Sequence, residues 1–297
     1  MTRSSVPLLA WLGEPGSADV ALTGGKSANL SRLASSCRVP PAFCLTVQAH
    51  ALWSTAVLRQ ASGDFHDHWP KEFVSVVRHA YASLADRCQT VSPVLAVRSS
   101  AVDEDGTDAS FAGLFLSCLN VRGLESLLEA IVRCWASAEH PRVSDYRAQQ
   151  QLGPGGIAVL VQEMVAADAA AVVFSRSPTG SADEVLINAN YGIGESIVSG
   201  TANPDTWTLR RKDLSVSRLI IGQKASMTVY DGDAGTREVP VLRTLRQRAC
   251  LKPTQVEILG DLALNLEKTM GWPVDLECAF RGEDLYVLQC RPITIAR

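Results

Sequence analysis

The stretch "VDLECAFRGEDLYVLQC", residues 274–290, decides most about the fold. Two runs of alternating apolar and polar residues flank the polar tetrad "RGED", and this pattern predicts a β-hairpin. If Gly282, Glu283 and Asp284 form the loop, the register of the two strands follows, because each residue then has one fixed partner across the hairpin.

This register predicts an oxygen-rich strand face. Glu277 lies opposite Gln289, and Asp275 lies opposite Arg291. Directly paired side chains are about 4.5–5.5 Å apart at Cβ. A carboxylate beside an amide oxygen suits Mg²⁺, and an arginine one step along could bind an outer phosphate through two parallel hydrogen bonds. The same spacing also fits a solvated hairpin face with ordinary cross-strand pairs, so the pattern alone leaves both interpretations open.

A second charged motif lies near the start of the chain, in "LTGGKSANLSRLA", residues 22–34. Lys26 follows two glycines, as the lysine of a P-loop does. A P-loop also needs a glycine five positions before Gly25, and Val20 stands there. Lys26 therefore does not belong to a P-loop. Residues 26–36 predict a short amphipathic helix that begins at this lysine.

Two other polar motifs interrupt apolar segments. Arg98 ends the apolar strand "PVLAV", where a guanidinium serves either a salt bridge or an anion. "GIGE", residues 192–195, resembles a turn from a strand into a helix, and free backbone N–H groups at such a turn could meet an anion. Neither pattern is specific by itself.

The remaining periodicity predicts an α+β chain without internal repeats. Helices are predicted at 48–88 (broken around Gly63 and Pro70), 123–138 and about 253–269. A hinge is predicted at the glycine-rich stretch 152–156. The predicted strands are 93–100, 114–121, 157–165, 169–177, 184–191 and segments within 206–224.

Bulk composition excludes several classes of partner. The formal net charge of the 297 residues is −3, which argues against non-specific binding to nucleic acid. No apolar run reaches the roughly 18 residues of a membrane span, so no membrane partner is expected. Eight scattered cysteines form no C-x-x-C pair, and we interpret them as reduced thiols of a cytoplasmic protein.

Six ordered motifs resemble one family. They are "GGKSANL", "VPPAF", "VRSSAVDEDGTDASFAG", "VLVQEMV", "GIGESIVSGTANPD" and "DLECAF…LYVLQCRPIT". Together they resemble the N-terminal ATP-binding domain of the pyruvate phosphate dikinase, phosphoenolpyruvate synthase and rifampin phosphotransferase group. The resemblance implies an α+β fold of the ATP-grasp type, in which two lobes clamp ATP in a central cleft.

The same resemblance implies the domain organisation. Residues 1–297 would form a single ATP-grasp nucleotide-binding unit with lobe boundaries near 152–156 and 190–205. We expect neither a phosphohistidine domain nor a phosphoenolpyruvate-binding domain, because no histidine lies beyond residue 140 and no glycine-rich histidine segment is present.

Residue roles carry over where the motifs match, with ATP as the nucleotide and Mg²⁺ as the metal. Lys26, Arg98 and Arg291 would be the catalytic cations that neutralise the phosphates, with Arg291 on the γ-phosphate. Glu277 and Gln289 would hold Mg²⁺. The residues implied to approach the rest of the nucleotide are Gly113, Ser117, Gln162, Glu163, Met164 and Val165, of which the last four would read adenine through backbone groups.

The function that we expect from this resemblance is ATP-dependent phosphotransfer, as a kinase, to a small-molecule acceptor. Natural-product biosynthesis and antibiotic modification are examples of its setting. One alternative is the ATP-binding subunit of a split dikinase, which phosphorylates a histidine on a separate carrier protein. A regulatory nucleotide-binding subunit and an ATP-grasp ligase are further alternatives. No general base is evident. Glu104, Asp105, Asp108 and Glu195 are candidates, and each is also consistent with a surface carboxylate or with a partner of another site residue.

Overall fold

The computed structural model describes residues 7–59, 69–104, 116–141, 143, 145, 156–178 and 181–293. Within these ranges, thirteen strands form three antiparallel sheets and seven helices accompany them. The strands are β1 (Leu9–Trp11), β2 (Ala42–Leu45), β3 (Leu95–Ala101), β4 (Ser117–Val121), β5 (Ile157–Glu163), β6 (Ala169–Phe174), β7 (Glu184–Tyr191), β8 (Asp205–Arg210), β9 (Val216–Ile220), β10 (Ser226–Tyr230), β11 (Thr236–Pro240), β12 (Val274–Arg281) and β13 (Asp284–Pro292). The helices are α1 (Val20–Leu33), α2 (Val47–Arg59), α3 (Lys71–Arg87), α4 (Leu124–Ser137), α5 (Glu195–Val198), α6 (Arg243–Arg246) and α7 (Pro253–Met270).

The first sheet has five strands in the order β1-β2-β5-β3-β4. One face packs against α2, α3 and α4. In α4 the apolar residues Leu127, Ile131 and Trp135 recur every four positions, so they form one stripe and are fully buried. The other face packs against α1 through Leu30 and Leu33, which join the core of the second sheet. The helix α1 therefore lies at the boundary between the two sheets.

The second sheet has six strands in the order β13-β12-β6-β7-β8-β9. The helix α7 covers one of its faces with Leu259, Ala263 and Leu266, which are buried. The chain passes from the first sheet to the second at residues 164–168, between β5 and β6. The predicted hinge at 152–156 precedes β5, which pairs with β2 and β3 in the first sheet.

The closing hairpin confirms the predicted pairs and corrects the predicted loop. Glu277 faces Gln289 and Asp275 faces Arg291, as expected. Asp284, however, pairs with Arg281, so the turn contains only Gly282 and Glu283. A two-residue turn is possible because Gly282 has a positive φ of 61°. A β-bulge beside Glu277 then adds one residue, Leu288, to β13 and restores the predicted pairs beyond it.

Other elements differ from the sequence-based expectations. The hairpin of β10 and β11 was not predicted. The helix α1 begins at Val20 rather than at 26, and Gly24 interrupts it with a φ of 74°. The predicted helix at about 253–269 is confirmed as α7. No helix in the described part of the chain combines the length and hydropathy needed to cross a bilayer.

Candidate functional site

A cavity of about 560 Å³ lies between the two sheets. The first sheet contributes residues of β3, β4 and β5, the second sheet contributes residues of β6, β12 and β13, and the start of α5 closes one side. The sequence-predicted site residues that line it are Arg98, Ser117, Gln162, Glu163, Met164, Val165, Glu277 and Arg291. Residues of β3 and of the closing hairpin, which are far apart in the sequence, therefore line the same cavity.

Three predicted residues are not part of the cavity wall as described. Lys26 and Gln289 are buried, with 6% and 3% of their surfaces exposed. Gly113 lies outside the described residues. The Lys26 Nζ donates to the Ser99 carbonyl oxygen at 2.9 Å and to Glu104 Oε1 at 2.6 Å. The lysine is therefore held by β3 and the turn that follows it.

Arg98 connects the two sheets across the cavity. It stands on β3, and its Nη2 donates to Glu277 Oε2 on β12 at 2.9 Å. Its Nη1 donates to the Leu288 carbonyl oxygen on β13 at 3.5 Å. Its Nε is buried and has no hydrogen-bond partner among the described residues. A buried donor without a partner costs about 1–3 kcal/mol, so this atom is suited to a ligand oxygen.

The neighbouring cations and burial shift the pKa values of the two carboxyl groups on β12. Burial acts to raise the pKa of Glu277, but Arg98, Arg291 and Lys26 outweigh it and hold the pKa below its ordinary value. Asp275 accepts a hydrogen bond from Arg291 Nε at 2.8 Å. Burial raises the pKa of Asp275 despite that partner. The pKa values of the two carboxyl groups thus shift in opposite directions, and Glu277 is the one that lines the cavity.

The donor set at Glu277 and Gln289 fits a magnesium ion. The Gln289 Oε1 is buried without a hydrogen-bond partner in the described residues, directly across the hairpin from Glu277. Amide and carboxylate oxygens are the ligand types that Mg²⁺ accepts. The described residues contain no cluster of three or more histidine, cysteine, aspartate or glutamate side chains that could hold a metal. A magnesium ion held by these two oxygens would need further oxygen ligands, which a bound phosphate or water could supply.

The end of β5 and the residues that follow it form another part of the cavity wall. Here the N–H of Glu163 donates to the Pro41 carbonyl oxygen at 2.9 Å, and the N–H of Met164 donates to the Val94 carbonyl oxygen at 2.8 Å. The Gln162 Nε2 is buried without a partner among the described residues. A ligand at this end would therefore meet the Gln162 amide, the backbone carbonyl groups and the N–H of Val165.

The candidate general bases lie in different environments in the structure. Glu104 is buried against Lys26, so it is not a surface carboxylate. Glu195 lines the cavity and is exposed, and its carboxylate accepts a hydrogen bond from Thr236. Asp105 and Asp108 lie outside the described residues. The apolar wall was not predictable from the sequence, because apolar residues in strands are also typical of a core. This wall includes Leu119, Ala171, Val172, Ile193, Val198 and Leu288.

Comparison with known proteins gives a consistent picture. A family model described as the AMP/ATP-binding domain of pyruvate phosphate dikinase matches residues 20–297. A probable phosphoenolpyruvate synthase of Methanocaldococcus jannaschii is 33% identical over 98% of this chain and 27% of its own length. The prodigiosin synthesizing transferase PigC of Serratia marcescens is 33% identical over 91% of this chain and 31% of its length. The uncharacterized phosphotransferase YvkC of Bacillus subtilis is 32% identical over 92% of this chain and 33% of its own length. The chain thus spans about a third of the length of these three relatives.

Proposed function

The chain belongs to the family of the pyruvate phosphate dikinase AMP/ATP-binding domain, and from this membership we propose that it binds ATP between its two sheets and transfers a phosphoryl group from it. The observation that carries the proposal is the convergence at one cavity of Arg98 from the first sheet with Glu277 and Arg291 from the second. Lys26 donates to the carbonyl oxygen of Ser99, which follows Arg98 on β3. Two lobes of the ATP-grasp type would clamp the nucleotide.

The chemistry of phosphoryl transfer matches this set of residues. Such a reaction depends mainly on positioning the phosphates and on stabilising the charge that moves. Arg98, Arg291 and Lys26 would supply positive charge at the phosphate end. The adenine would lie at the opposite end, against Gln162–Val165, where Glu163 and Met164 already use their backbone N–H groups within the protein. Ser117 and Gly113 would approach the nucleotide between these ends.

Glu277 and Gln289 would hold Mg²⁺. When bound, the ion would neutralise charge on the outer phosphates and fix their orientation. Arg98 contacts Glu277 in the present arrangement, so its guanidinium lies within reach of the same phosphates. Approach of the two lobes would exclude water, which otherwise competes with the acceptor for the phosphoryl group.

The proposed acceptor is a small molecule, with natural-product biosynthesis or antibiotic modification as the setting. The names of the transferase PigC and the phosphotransferase YvkC support a transfer reaction. A second candidate acceptor is a histidine on a separate carrier protein. The probable phosphoenolpyruvate synthase among the relatives supports this second candidate, because the family resemblance implies a phosphohistidine carrier in such enzymes.

The nucleotide product distinguishes the two acceptors. We would incubate the purified chain with ATP and Mg²⁺ and identify the product by chromatography. ADP formed only with a small acceptor supports the kinase, whereas AMP formed only with a histidine-bearing partner supports the split dikinase. ATP binding without turnover under any condition would instead indicate a regulatory subunit.

Two substitutions test the site itself. We expect Glu277→Ala and Arg291→Ala each to reduce turnover at least about 100-fold, because each removes charge or a metal ligand at the moving phosphoryl group. Circular dichroism would establish that both variants fold. Glu257→Ala, on the exposed side of α7, is the matched control and should retain full activity. Wild-type activity in either site variant would refute the assignment.

A further inference from the structure

Glu104 has no role in the proposed nucleotide site, yet both of its carboxylate oxygens accept hydrogen bonds within the fold. We propose that Glu104 is a positioning residue: it holds the Lys26 ammonium against the outer phosphates of ATP. The inference rests on the proposed function. It concerns a residue for which the sequence offered only the roles of a general base, a surface carboxylate or a partner of another group.

Both oxygens of Glu104 are engaged. Oε1 accepts from Lys26 Nζ at 2.6 Å, and Oε2 accepts from the backbone N–H of Ala101 at 3.2 Å. The side chains of Glu104 and Lys26 are only 8% and 7% exposed. A carboxylate held at both oxygens in a buried position cannot rotate away, so it fixes the place of the ammonium.

Among the described residues, the ammonium has two acceptors, which leaves one donor for a ligand. A lysine has three N–H donors, and two of those in Lys26 go to Glu104 Oε1 and to the Ser99 carbonyl oxygen. Because these two acceptors set the orientation of the group, the direction of the third donor is also set. A phosphate oxygen that meets this donor would find it already aligned.

The local backbone places this ammonium at the phosphate end. Ser99 directly follows Arg98 on β3, and the N–H of Ser27 donates to Ser100 Oγ at 3.1 Å. The helix α1 also packs against β13, the strand that carries Gln289 and Arg291. Lys26 is therefore anchored beside the same strands that present the other two cations.

A buried ammonium needs a counter-charge before the ligand arrives. Without one, a buried lysine loses its proton or leaves the site, because an unpaired charge in the interior is strongly unfavourable. Glu104 supplies the negative charge while the cavity holds no triphosphate. Its removal should therefore weaken the contacts to the outer phosphates and spare those to the rest of the nucleotide.

The chain offers a matched control for this idea. Lys224 and Asp205 form a second buried lysine–carboxylate pair, in which Asp205 also accepts from the backbone N–H groups of Gly222 and Cys250. None of these four residues lines the cavity. Asp205→Asn consequently weakens a pair of the same type without touching the nucleotide site.

Calorimetric titration with two ligands tests the proposal. The first is a non-hydrolysable ATP analogue with Mg²⁺, and the second is AMP, which lacks the two outer phosphates. We expect Glu104→Ala to lower the affinity for the analogue by about tenfold or more and to change the affinity for AMP by less than about twofold. The reason is that the variant loses charge-assisted contacts to the outer phosphates, which AMP lacks. Glu104→Gln keeps an acceptor for Lys26, so it should recover part of the loss. Asp205→Asn should leave both affinities unchanged.

Three results would overturn the inference. The first is wild-type affinity for the analogue in both Glu104 variants. The second is an equal loss of affinity for the analogue and for AMP in Glu104→Gln, which would indicate general structural damage. The third is a wild-type chain that binds neither ligand, which would refute the proposed function and the inference with it. The first two results would refute the inference alone, so failure of the inference is distinguishable from failure of the proposed function.

Discussion

Gln289 is a buried side chain whose folding role and binding role can be separated by one substitution. Its amide oxygen has no hydrogen-bond partner in the described residues. Gln289→Leu keeps a similar volume and removes a polar atom that lacks a partner, so it should change the free energy of unfolding by less than about 1.5 kcal/mol. If the oxygen binds Mg²⁺, the Mg²⁺ concentration for half-maximal turnover should rise by about tenfold or more.

A magnesium titration of turnover, with chemical denaturation beside it, measures both effects. Gln255→Leu is the matched control. The Gln255 side chain is also buried, but its amide accepts from the N–H of Lys252 and donates to the Gly282 carbonyl oxygen. That variant should lose stability and leave the magnesium dependence unchanged. An unaltered titration in Gln289→Leu would remove this residue from the metal site.

Glu267 links pH to stability at a point remote from the cavity. Burial acts to raise its pKa, but hydrogen bonds from Arg176, Ser175 and Arg211 outweigh burial and bring the pKa to about 2, from an ordinary value of 4.5. A carboxylate with a lowered pKa stabilises the fold above its unfolded pKa, and the contribution is lost as the pH falls through the folded value.

We therefore expect Glu267→Gln to lower the free energy of unfolding at pH 7 by about 1.5–3 kcal/mol, as for a hydrogen-bonded charged group. The difference from the wild type should persist down to about pH 4.5 and shrink between that pH and about 2. Denaturant titrations at pH 7, 5 and 3 would measure it. A difference that stays constant over this range would mean that the charge of Glu267 contributes nothing.

At the scale of elements, the start of α1 depends on close contact between two backbones. Gly24 has a φ of 74°, and a Cβ added there would lie 2.0 Å from the Ser100 carbonyl oxygen. Gly16 also has a positive φ, 86°, but an added Cβ would have no atom within 4 Å. The two glycines thus share the conformational requirement and differ in the clash.

Alanine substitutions separate these effects. Gly16→Ala should cost only the left-handed conformation, about 1–2 kcal/mol. Gly24→Ala must in addition push α1 away from β3, so its loss in the free energy of unfolding should be larger by at least about 1 kcal/mol. ATP affinity should fall with it, because Lys26 follows two residues later. Equal stability losses in denaturant titrations would contradict the close packing of α1 on β3.

Elements with strong periodicity were predictable from the sequence, and those with weak periodicity were not. The stripe of Leu127, Ile131 and Trp135 predicted α4, and alternation predicted the pairs of the closing hairpin. The prediction of a three-residue loop in that hairpin was wrong. A two-residue turn combined with a bulge gives the same pairs further from the turn as a three-residue loop does. The hairpin of β10 and β11 was missed since its strands are short and mostly lack buried apolar residues.

The hairpin register predicted the pairs of Glu277 with Gln289 and of Asp275 with Arg291. The contacts of Lys26 and Arg98 were not predictable, because they depend on how distant segments pack. Glu104 lies 78 residues from Lys26, and Glu277 lies 179 residues from Arg98. No local pattern encodes such contacts. The burial of Glu104 against Lys26 therefore emerged from the three-dimensional arrangement alone.

At the scale of the whole molecule, the first sheet is tied by hydrogen bonds to both of the other sheets. The Arg98–Glu277 pair connects β3 to β12 of the second sheet. The Asn120 amide on β4 donates to the Asp231 and Gly232 carbonyl oxygens, at 3.4 Å each, in the turn between β10 and β11, which form the two-stranded sheet. A ligand in the cavity would contact the first and second sheets at once, because residues of both line it.

This arrangement predicts that an ATP analogue with Mg²⁺ protects both walls of the cavity from hydrogen exchange. A ligand at 100 times its dissociation constant stabilises the native state by about 2.7 kcal/mol. That stabilisation should slow exchange in peptides from β3 and β5 as well as from β12 and β13, because the ligand opposes separation of the sheets. Glu277→Ala, with the metal ligand removed, should show weaker protection of β12 and β13. Protection confined to one sheet at saturating ligand would rule out a nucleotide clamped between the two.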